Sequence, residues 1–320
     1  MSNERPVLIA ECCQNHNGDK EILKKMIHKA AESGADYVKI QAIRSRELTH
    51  RPRFDEGLEE NGVQRVIKRP YAPEKERLAK LDLDLDTESW FVEECWRAGV
   101  APMTTAFTRT GAREVRELGY EAIKVASYDC SSYPLLSELA DYWNTIFVST
   151  GATFDDEIET AAQVLEGKDV TFLHCVTIYP TPLNELHLRR ISFLRQFSKN
   201  VGYSDHSKPK ETQLKASKLA LALGASCVER HFTILEDDQT KDGPVSVTPS
   251  MLSELRAFAD MSRRDRMESI KTEYPEWEEA LGNATRPLSH AELLNRDYYR
   301  GRFASLVDGK FIYNWEDVNF

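Results

Sequence analysis

The sequence predicts an α/β protein folded as a (β/α)8 TIM barrel, with a long β2–α2 loop and a short C-terminal extension. Three observations predict it. Short apolar, β-branched runs alternate with longer amphipathic ones, the order of successive βα units around a parallel sheet. Eight such strands fit into about 265 residues, which is what a closed barrel requires. No GxGxxG follows the first strand, and this disfavours the doubly wound open sheet.

The first strand, Val7–Glu11, runs through Cys12 and Cys13 into Asn15, His16, Asn17 and Gly18, residues suited to a turn, and then a helix at Lys20–Ser33. The second strand is Asp36–Gln41. After helix Ser89–Ala98 come strands three and four, Ala101–Thr105 and Ala122–Ala126. Thr145–Ser149 leads into helix Asp155–Leu165, and Thr171–His174 and Val201–Tyr203 follow. Helix Lys210–Leu223, strand Cys227–Arg230 and helix Ser250–Asp265 complete the set.

Two regions fall outside this count. Arg44 to Asp86 is long, highly charged and punctuated by Pro52, Pro70 and Pro73, as expected of a lid, a binding loop or a mobile linker. Its acidic "DLDLD", residues 82–86, reads as flexible surface charge rather than a metal site. The barrel domain is expected over 1–283. Residues 284–320 are too few for an independent domain and form the extension.

Composition narrows the function. The chain of 320 residues is 41% hydrophobic and 29% charged, with a formal net charge of -10. That balance argues against a nucleic-acid partner, which needs a clustered basic face. A small anion stays admissible, since charges are screened over roughly 8–10 Å and a pocket can differ in sign from the surface. No run approaches the roughly 20 apolar residues of a membrane span, and "MSNERPVLIAE" has no apolar signal core, so a cytoplasmic protein is expected. The six cysteines form no CxxC pair and are expected reduced and buried.

Barrel active sites are built at the C-terminal ends of strands. Here every expected strand ends in polar side chains: Glu11 with Asn15 and His16; Lys39 and Gln41; Thr104 and Thr105; Lys124, Ser127 and Asp129; Ser149 and Thr150; His174, Thr177 and Tyr179; Ser204, Asp205 and His206; Glu229 and His231. One such cluster would be a turn, but eight in phase make a site. Lys39 and Lys124 with Ser127, Ser149, Thr177 and Ser204 suit a cradle for a phosphate or carboxylate, because a lone buried ammonium is costly. The plain alternative for either lysine is a salt bridge to Glu11 or Asp129, and a Schiff-base lysine is a second functional one. His206 and His231 close neighbouring strands and suit a divalent metal, with hydrogen-bonded structural histidines as the plain alternative; Asp205 or Glu229 would orient an imidazole.

The stretches "AECCQNHNG", "VKIQ", "IKVAS", "STGA", "LHCVTIYPTP", "GYSDHS" and "ERHFT" resemble, in order, the sialic acid synthase family from about residue 6 to 265. That family joins phosphoenolpyruvate to N-acetylmannosamine or related open-chain sugars on a (β/α)8 barrel. The resemblance implies that His206 and His231 hold a divalent ion, usually manganese, with magnesium or cobalt as alternatives. It implies that Lys124, Ser149, Thr177 and Ser204 surround the phosphate, and that Lys39, Thr105 and Ser127 hold the rest of phosphoenolpyruvate. Glu11 matches the acidic residue proposed as general acid/base, and Gln41, Tyr179 and Asp242 match sugar contacts. Asn15, His16 and Asn17 are expected to position the turn.

Three departures bear on the acceptor. Tyr128 and Asp129 stand where the family commonly has Gly-Glu, which puts Asp129 at the sugar pocket. "TKDGP" keeps Asp242 and adds Lys241, a contact for an anionic acceptor. The extension resembles only the start of the family's antifreeze-like domain, with Arg300 and Arg302 as substitutes for that domain's arginine; a homodimer is the family expectation. The competing readings are a Schiff-base pyruvate aldolase using Lys124, and a catalytically degenerate sugar-binding barrel.

Overall fold

The computed structural model describes residues 5–314. The last six residues of the expected extension, 315–320, and the first four of the chain lie outside the described residues.

Eight parallel strands close into a barrel: β1 Val7–Cys13, β2 Tyr37–Ala42, β3 Ala101–Ala106, β4 Ala122–Val125, β5 Thr145–Ser149, β6 Asp169–Cys175, β7 Asn200–Asp205 and β8 Cys227–His231. Each pairs with its neighbours in sequence, and β8 closes on β1 with Val7 opposite Cys227 and Glu11 opposite His231. Every expected strand is present to within two residues at either end.

The period of two along each strand sorts its side chains. Leu8, Ala10, Val38, Ile40, Ile123, Val125, Ile146, Val148 and Phe172 face outward into the large core beneath the helices. Ile9, Met103, Ala122, Phe147, Leu173 and Cys227 face inward and fill the lower barrel, with Val7 and Tyr37 packed against them. Gly202 belongs to that layer by necessity, because a Cβ there would lie 2.5 Å from the Cys227 carbonyl oxygen and from Leu173. The helix at Lys20–Glu32 is capped by Asp19, whose carboxylate accepts from the amides of Glu21 and Ile22, and it buries Leu23, Met26, Ile27 and Ala30.

Three expectations need correction. The helix expected over Lys210–Leu223 is broken: Pro209–Thr212 ends at Gln213 and Leu214, both at positive φ, before Lys215–Ala222 begins. The helix expected to reach Asp265 stops at Asp260, and Ser262 caps a second one over Arg263–Glu273. The segment from Arg44 to Asp86, expected as a lid, a binding loop or a mobile linker, carries ordered elements of its own. It holds a short helix at Arg53–Glu56, a hairpin of Leu58–Glu60 with Val63–Val66, and a helix at Tyr71–Ala79. Its acidic stretch is ordered too: Asp82 accepts from the Ser45 amide and hydroxyl, and Asp84 caps the helix at Leu85–Ala98.

The extension folds back onto its own barrel. The helix at His290–Tyr299 is opened by a Ser289/Glu292 capping box. A hairpin of Ser305–Val307 with Lys310–Ile312 follows. Leu48 bridges Phe303, the Thr49 amide donates to the Arg302 carbonyl at 2.9 Å, and Ile43, Leu48, Leu78 and Phe303 bury one another. The long excursion and the extension thus form one layer over the C-terminal end of the barrel. No helix among the described residues is long and apolar enough to cross a membrane.

Candidate active site

Under that layer, at the C-terminal strand ends, lies a cavity of about 390 Å³. This is within the usual range for small-molecule sites. The inward positions one repeat above the apolar layer supply its floor: Glu11, Lys39, Thr105, Lys124, Ser149, Ser204 and Glu229. All are buried.

The floor is a network of paired charges. Lys39 touches Glu11, lies 3.6 Å from Glu229 and donates to the Thr105 hydroxyl at 3.0 Å. Lys124 donates to the Ser149 hydroxyl at 2.7 Å and the Val125 carbonyl at 2.9 Å, and sits 3.9 Å from Glu229. Glu229 accepts from the Ser204 hydroxyl at 2.7 Å, while its Oε2 has no hydrogen-bond partner. Two ammonium groups and two carboxylates share a site that water barely reaches. Burial pushes the Lys39 ammonium down to about 7, Lys124 adds to that, and Glu229 opposes it. Glu229 itself is held well below the usual carboxylate range by Lys124 and Lys39, which overcome its burial. An anion entering here meets two cations, hydroxyl donors and no barrier of unpaired negative charge.

His206 and His231 stand beside the lysines with ring centroids 5.4 Å apart, and the Tyr179 ring lies 4.1 Å from that of His206. Burial holds His206 down to about 3, and burial also lowers His231, so both imidazoles are neutral at ordinary pH. Neutral imidazole is the metal-ligating form. His231 Nδ1 is buried without a hydrogen-bond partner. Ligand atoms of Cys13, His231 and Asp242 converge within 4.8 Å of one another. An orphaned imidazole nitrogen beside a carboxylate and a thiol fits a divalent cation. Cys13 enters this set unannounced, since spacing in the chain gave no metal signal for it. Its donor role emerges only from the fold.

The rest of the expected residues divide. Gln41, Ser127, Tyr179 and Asp242 line the cavity. Asp129 and Thr177 do not. Asp129 sits behind Tyr128 on the turn Ser127–Asp129, accepting from the Ser132 hydroxyl at 3.2 Å, with burial raising its carboxyl to about 7. No ion pair joins it to either lysine, so the alternative of a salt bridge holds for Glu11 and not for Asp129. Thr177 is fully buried beneath the wall and carries Asn295, whose amide donates to its carbonyl at 2.9 Å. Asp205 orients no imidazole. It faces away from the cavity into Arg230, 2.6 Å distant, and accepts from Ser217. Period two explains this, since Ser204 and Asp205 are successive residues of one strand.

The turn after β1 is structural. Asn15 donates to the Phe232 carbonyl at 2.9 Å and to Ser246, Asn17 reaches the Gln239 carbonyl, and the buried His16 accepts from the Gly18 amide. These bonds tie the end of β1 to the segment beyond β8.

The upper wall comes from the two regions outside the barrel repeat. Arg69 and Arg77 belong to the long excursion, and Asn295, Tyr299 and Arg302 to the extension. Tyr299 stacks on Tyr128 at 4.8 Å with planes 16° apart. Glu74 pairs with Arg302 and with Arg77 at 2.9 Å, and Arg77 donates to Gln14 at 2.8 Å. Lys241 adds another cation at the mouth.

The chain matches the NeuB family over residues 26–267. Among characterised proteins it is 29% identical over 321 residues to the N,N'-diacetyllegionaminic acid synthase of Campylobacter jejuni subsp. jejuni, an alignment covering 96% of this chain and 86% of that one. It is 26% identical to the pseudaminic acid synthase of the same organism, covering 95% and 83%. A crystal structure of N-acetylneuraminic acid (sialic acid) synthetase from Leptospira borgpetersenii superposes with a TM-score of 0.68 at 26% identity, over 93% of this chain and 92% of that one.

Proposed function

The chain belongs to the NeuB family, and from that premise we propose that it condenses phosphoenolpyruvate with an open-chain aldose to a 3-deoxy-2-keto sugar acid, releasing phosphate by C–O cleavage. The observation that carries this is the floor of the cavity. Lys39 and Lys124 rise from different strands beside the hydroxyls of Thr105, Ser149 and Ser204, with a pair of neutral imidazoles alongside.

In this reading Lys39 and Lys124 take the phosphate and carboxylate of phosphoenolpyruvate, with the hydroxyls completing its donors. His206 and His231 are the residues that would hold a divalent ion, which when bound would supply Lewis-acid polarisation of the aldehyde. C3 of phosphoenolpyruvate forms the new bond to the aldehyde carbon, and the aldehyde oxygen takes a proton to become a hydroxyl. C2 becomes electron-poor and adds water, which gives up a proton. The C2–O bond to phosphate then breaks as the C2 hydroxyl passes its proton to the departing phosphate, leaving the ketone. Glu11 is the carboxylate placed to move those protons, once the incoming anion takes over its lysine. Such proton transfer typically contributes about 10²–10⁴-fold. Tyr179, Gln41 and Asp242 would meet the sugar, and Asn295, Tyr299 and Arg302 of the extension would wall the site from above.

The test is phosphate release from phosphoenolpyruvate with manganese across a panel of aldoses, with and without chelator. The panel holds N-acetylmannosamine, mannose, di-N-acetylated 6-deoxyhexoses and phosphorylated sugars. Aldose-dependent, chelator-sensitive release is expected. Absence of both release and phosphoenolpyruvate binding would overturn the reading. The aldolase alternative predicts a borohydride-trapped pyruvate adduct on Lys124. Lys124 Nζ is already held by the Val125 carbonyl and the Ser149 hydroxyl, 3.9 Å from Glu229, and no adduct is expected.

A further inference from the structure

Cys13 is held in an unusual place. The β1–β2 register shifts between Glu11 and Cys13, and Cys13 adopts φ 47, the left-handed region. For a residue with a Cβ that conformation is strained. Its amide donates to Glu11 Oε1 at 2.5 Å, which fixes the bulge. The outcome is that Cys13 lines the cavity, alone among the six cysteines. Cys12, one residue earlier, faces the apolar core. The Cys13 sulfur lies 3.1 Å from Asp242 Oδ2, and the donor atoms of both lie within 4.8 Å of a ring nitrogen of His231, whose Nδ1 has no hydrogen-bond partner.

We propose that Cys13 is a ligand of the divalent ion, its thiolate and Asp242 joining His231 while His206, whose ring lies 5.4 Å from that of His231, stays on the same ion as a further ligand, so that the site takes a thiolate-accepting metal such as zinc, cobalt or ferrous iron. This rests on the reading above that the cavity holds a divalent ion. Three protein donors of S, N and O type leave room for further ligands, as catalytic sites do. Thiolate and imidazole favour the softer first-row metals, whereas magnesium and manganese sites are built from carboxylate, carbonyl and water. Binding is balanced as a ligand exchange: the dication forms a bond to sulfur, and the thiol proton now shared with Asp242 leaves to solvent. Asp242 then serves the metal first and the sugar, if at all, through it.

The test is anaerobic titration of the metal-free full chain with cobalt(II), followed by calorimetry and absorbance. The expected result is stoichiometric binding with a near-ultraviolet sulfur-to-cobalt charge-transfer band. Cys13→Ser should abolish that band and weaken cobalt binding about 10–100-fold, with circular dichroism confirming the fold. Cys175→Ala, which removes the thiol 3.6 Å from His206 Nδ1, should keep the band. Cobalt binding without a thiolate band in the unmodified protein would overturn the proposal while leaving a metal-dependent enzyme standing. A band retained in Cys13→Ser would overturn it as well. Failure to bind cobalt at all would overturn both the proposal and the metal part of the reading beneath it.

Discussion

Two layers of the barrel interior lie one repeat apart and share a backbone, yet they do opposite work. Ile9, Met103, Ala122, Phe147, Leu173 and Cys227 make the lower layer. Two residues on, the same strands present Glu11, Thr105, Lys124, Ser149, Cys175 and Glu229, and β2 adds Lys39. Below, removing apolar surface from water stabilises the closed barrel. Above, four ionisable groups are buried together, and the charge on each costs desolvation that its partners only offset. The fold resides in one layer and the affinity for anions in the next.

The comparison breaks most visibly at Phe147. Phe147→Ala should cost about 3–5 kcal/mol of stability, read by guanidinium unfolding, while surviving folded protein still binds phosphoenolpyruvate. Lys124→Met should do the reverse. Turnover should fall about 10²–10³-fold, as when one electrostatic donor is lost, with a smaller change in unfolding midpoint than Phe147→Ala. If Lys124→Met unfolded the protein as readily as Phe147→Ala, the division of labour between layers would be wrong.

The upper layer was legible in the sequence because its residues close the expected strands. Lys39 and Lys124 read as site residues because they stand at the C-terminal ends of the second and fourth strands. Glu11 read as a strand-end acid for the same reason. What stayed hidden depends on contacts between distant segments. The excursion looked unstructured because its charges pair with residues far along the chain: Arg51 donates to the carbonyls of Asp297 and Arg300, and Phe54 packs edge-on against Tyr298 at 5.1 Å. Asp129 read as a sugar contact from its place beyond a strand end, whereas the cavity is lined by its neighbour Tyr128 and not by Asp129. Cys13 was missed because a β-bulge, which turned it into the cavity, has no signature in residue type.

A third consequence concerns protons. With the Lys39 ammonium lowered to about 7 by burial, Lys124 adding, the folded chain binds fewer protons than the unfolded one between that pH and the ordinary lysine value of about 10.4. The sign follows: stability contributed by this group rises with pH across that window and is lost as pH falls through about 7. Phosphoenolpyruvate should reverse the shift by favouring the ammonium. Calorimetry at pH 8 in two buffers of different ionisation enthalpy should show uptake of up to about one proton on binding, and affinity should weaken by at most about tenfold per pH unit above 7. Binding without proton uptake would mean that Glu11 keeps Lys39 charged throughout, and the upper layer would be more fully paired than its burial implies.

The smallest effect separates the barrel from its roof. Tyr299 touches the cavity only from above, stacked on Tyr128, and such a pair contributes about 0.5–1.5 kcal/mol beyond its buried area. Its helix is anchored independently, by Arg296 donating to the Ala152 carbonyl at 2.7 Å and pairing with Glu157 at 2.5 Å, and by Asn295 on Thr177. Tyr299→Ala should therefore leave the extension docked. A few-fold rise in KM for the aldose is expected, with KM for phosphoenolpyruvate and the melting temperature nearly unchanged, because in the proposed reading the anion would sit on the floor and the sugar would meet the wall. An equal rise in both KM values would instead mean that the roof closes over the anion as well. The acceptor would then be selected by the depth of the cavity rather than by the chemistry of its rim.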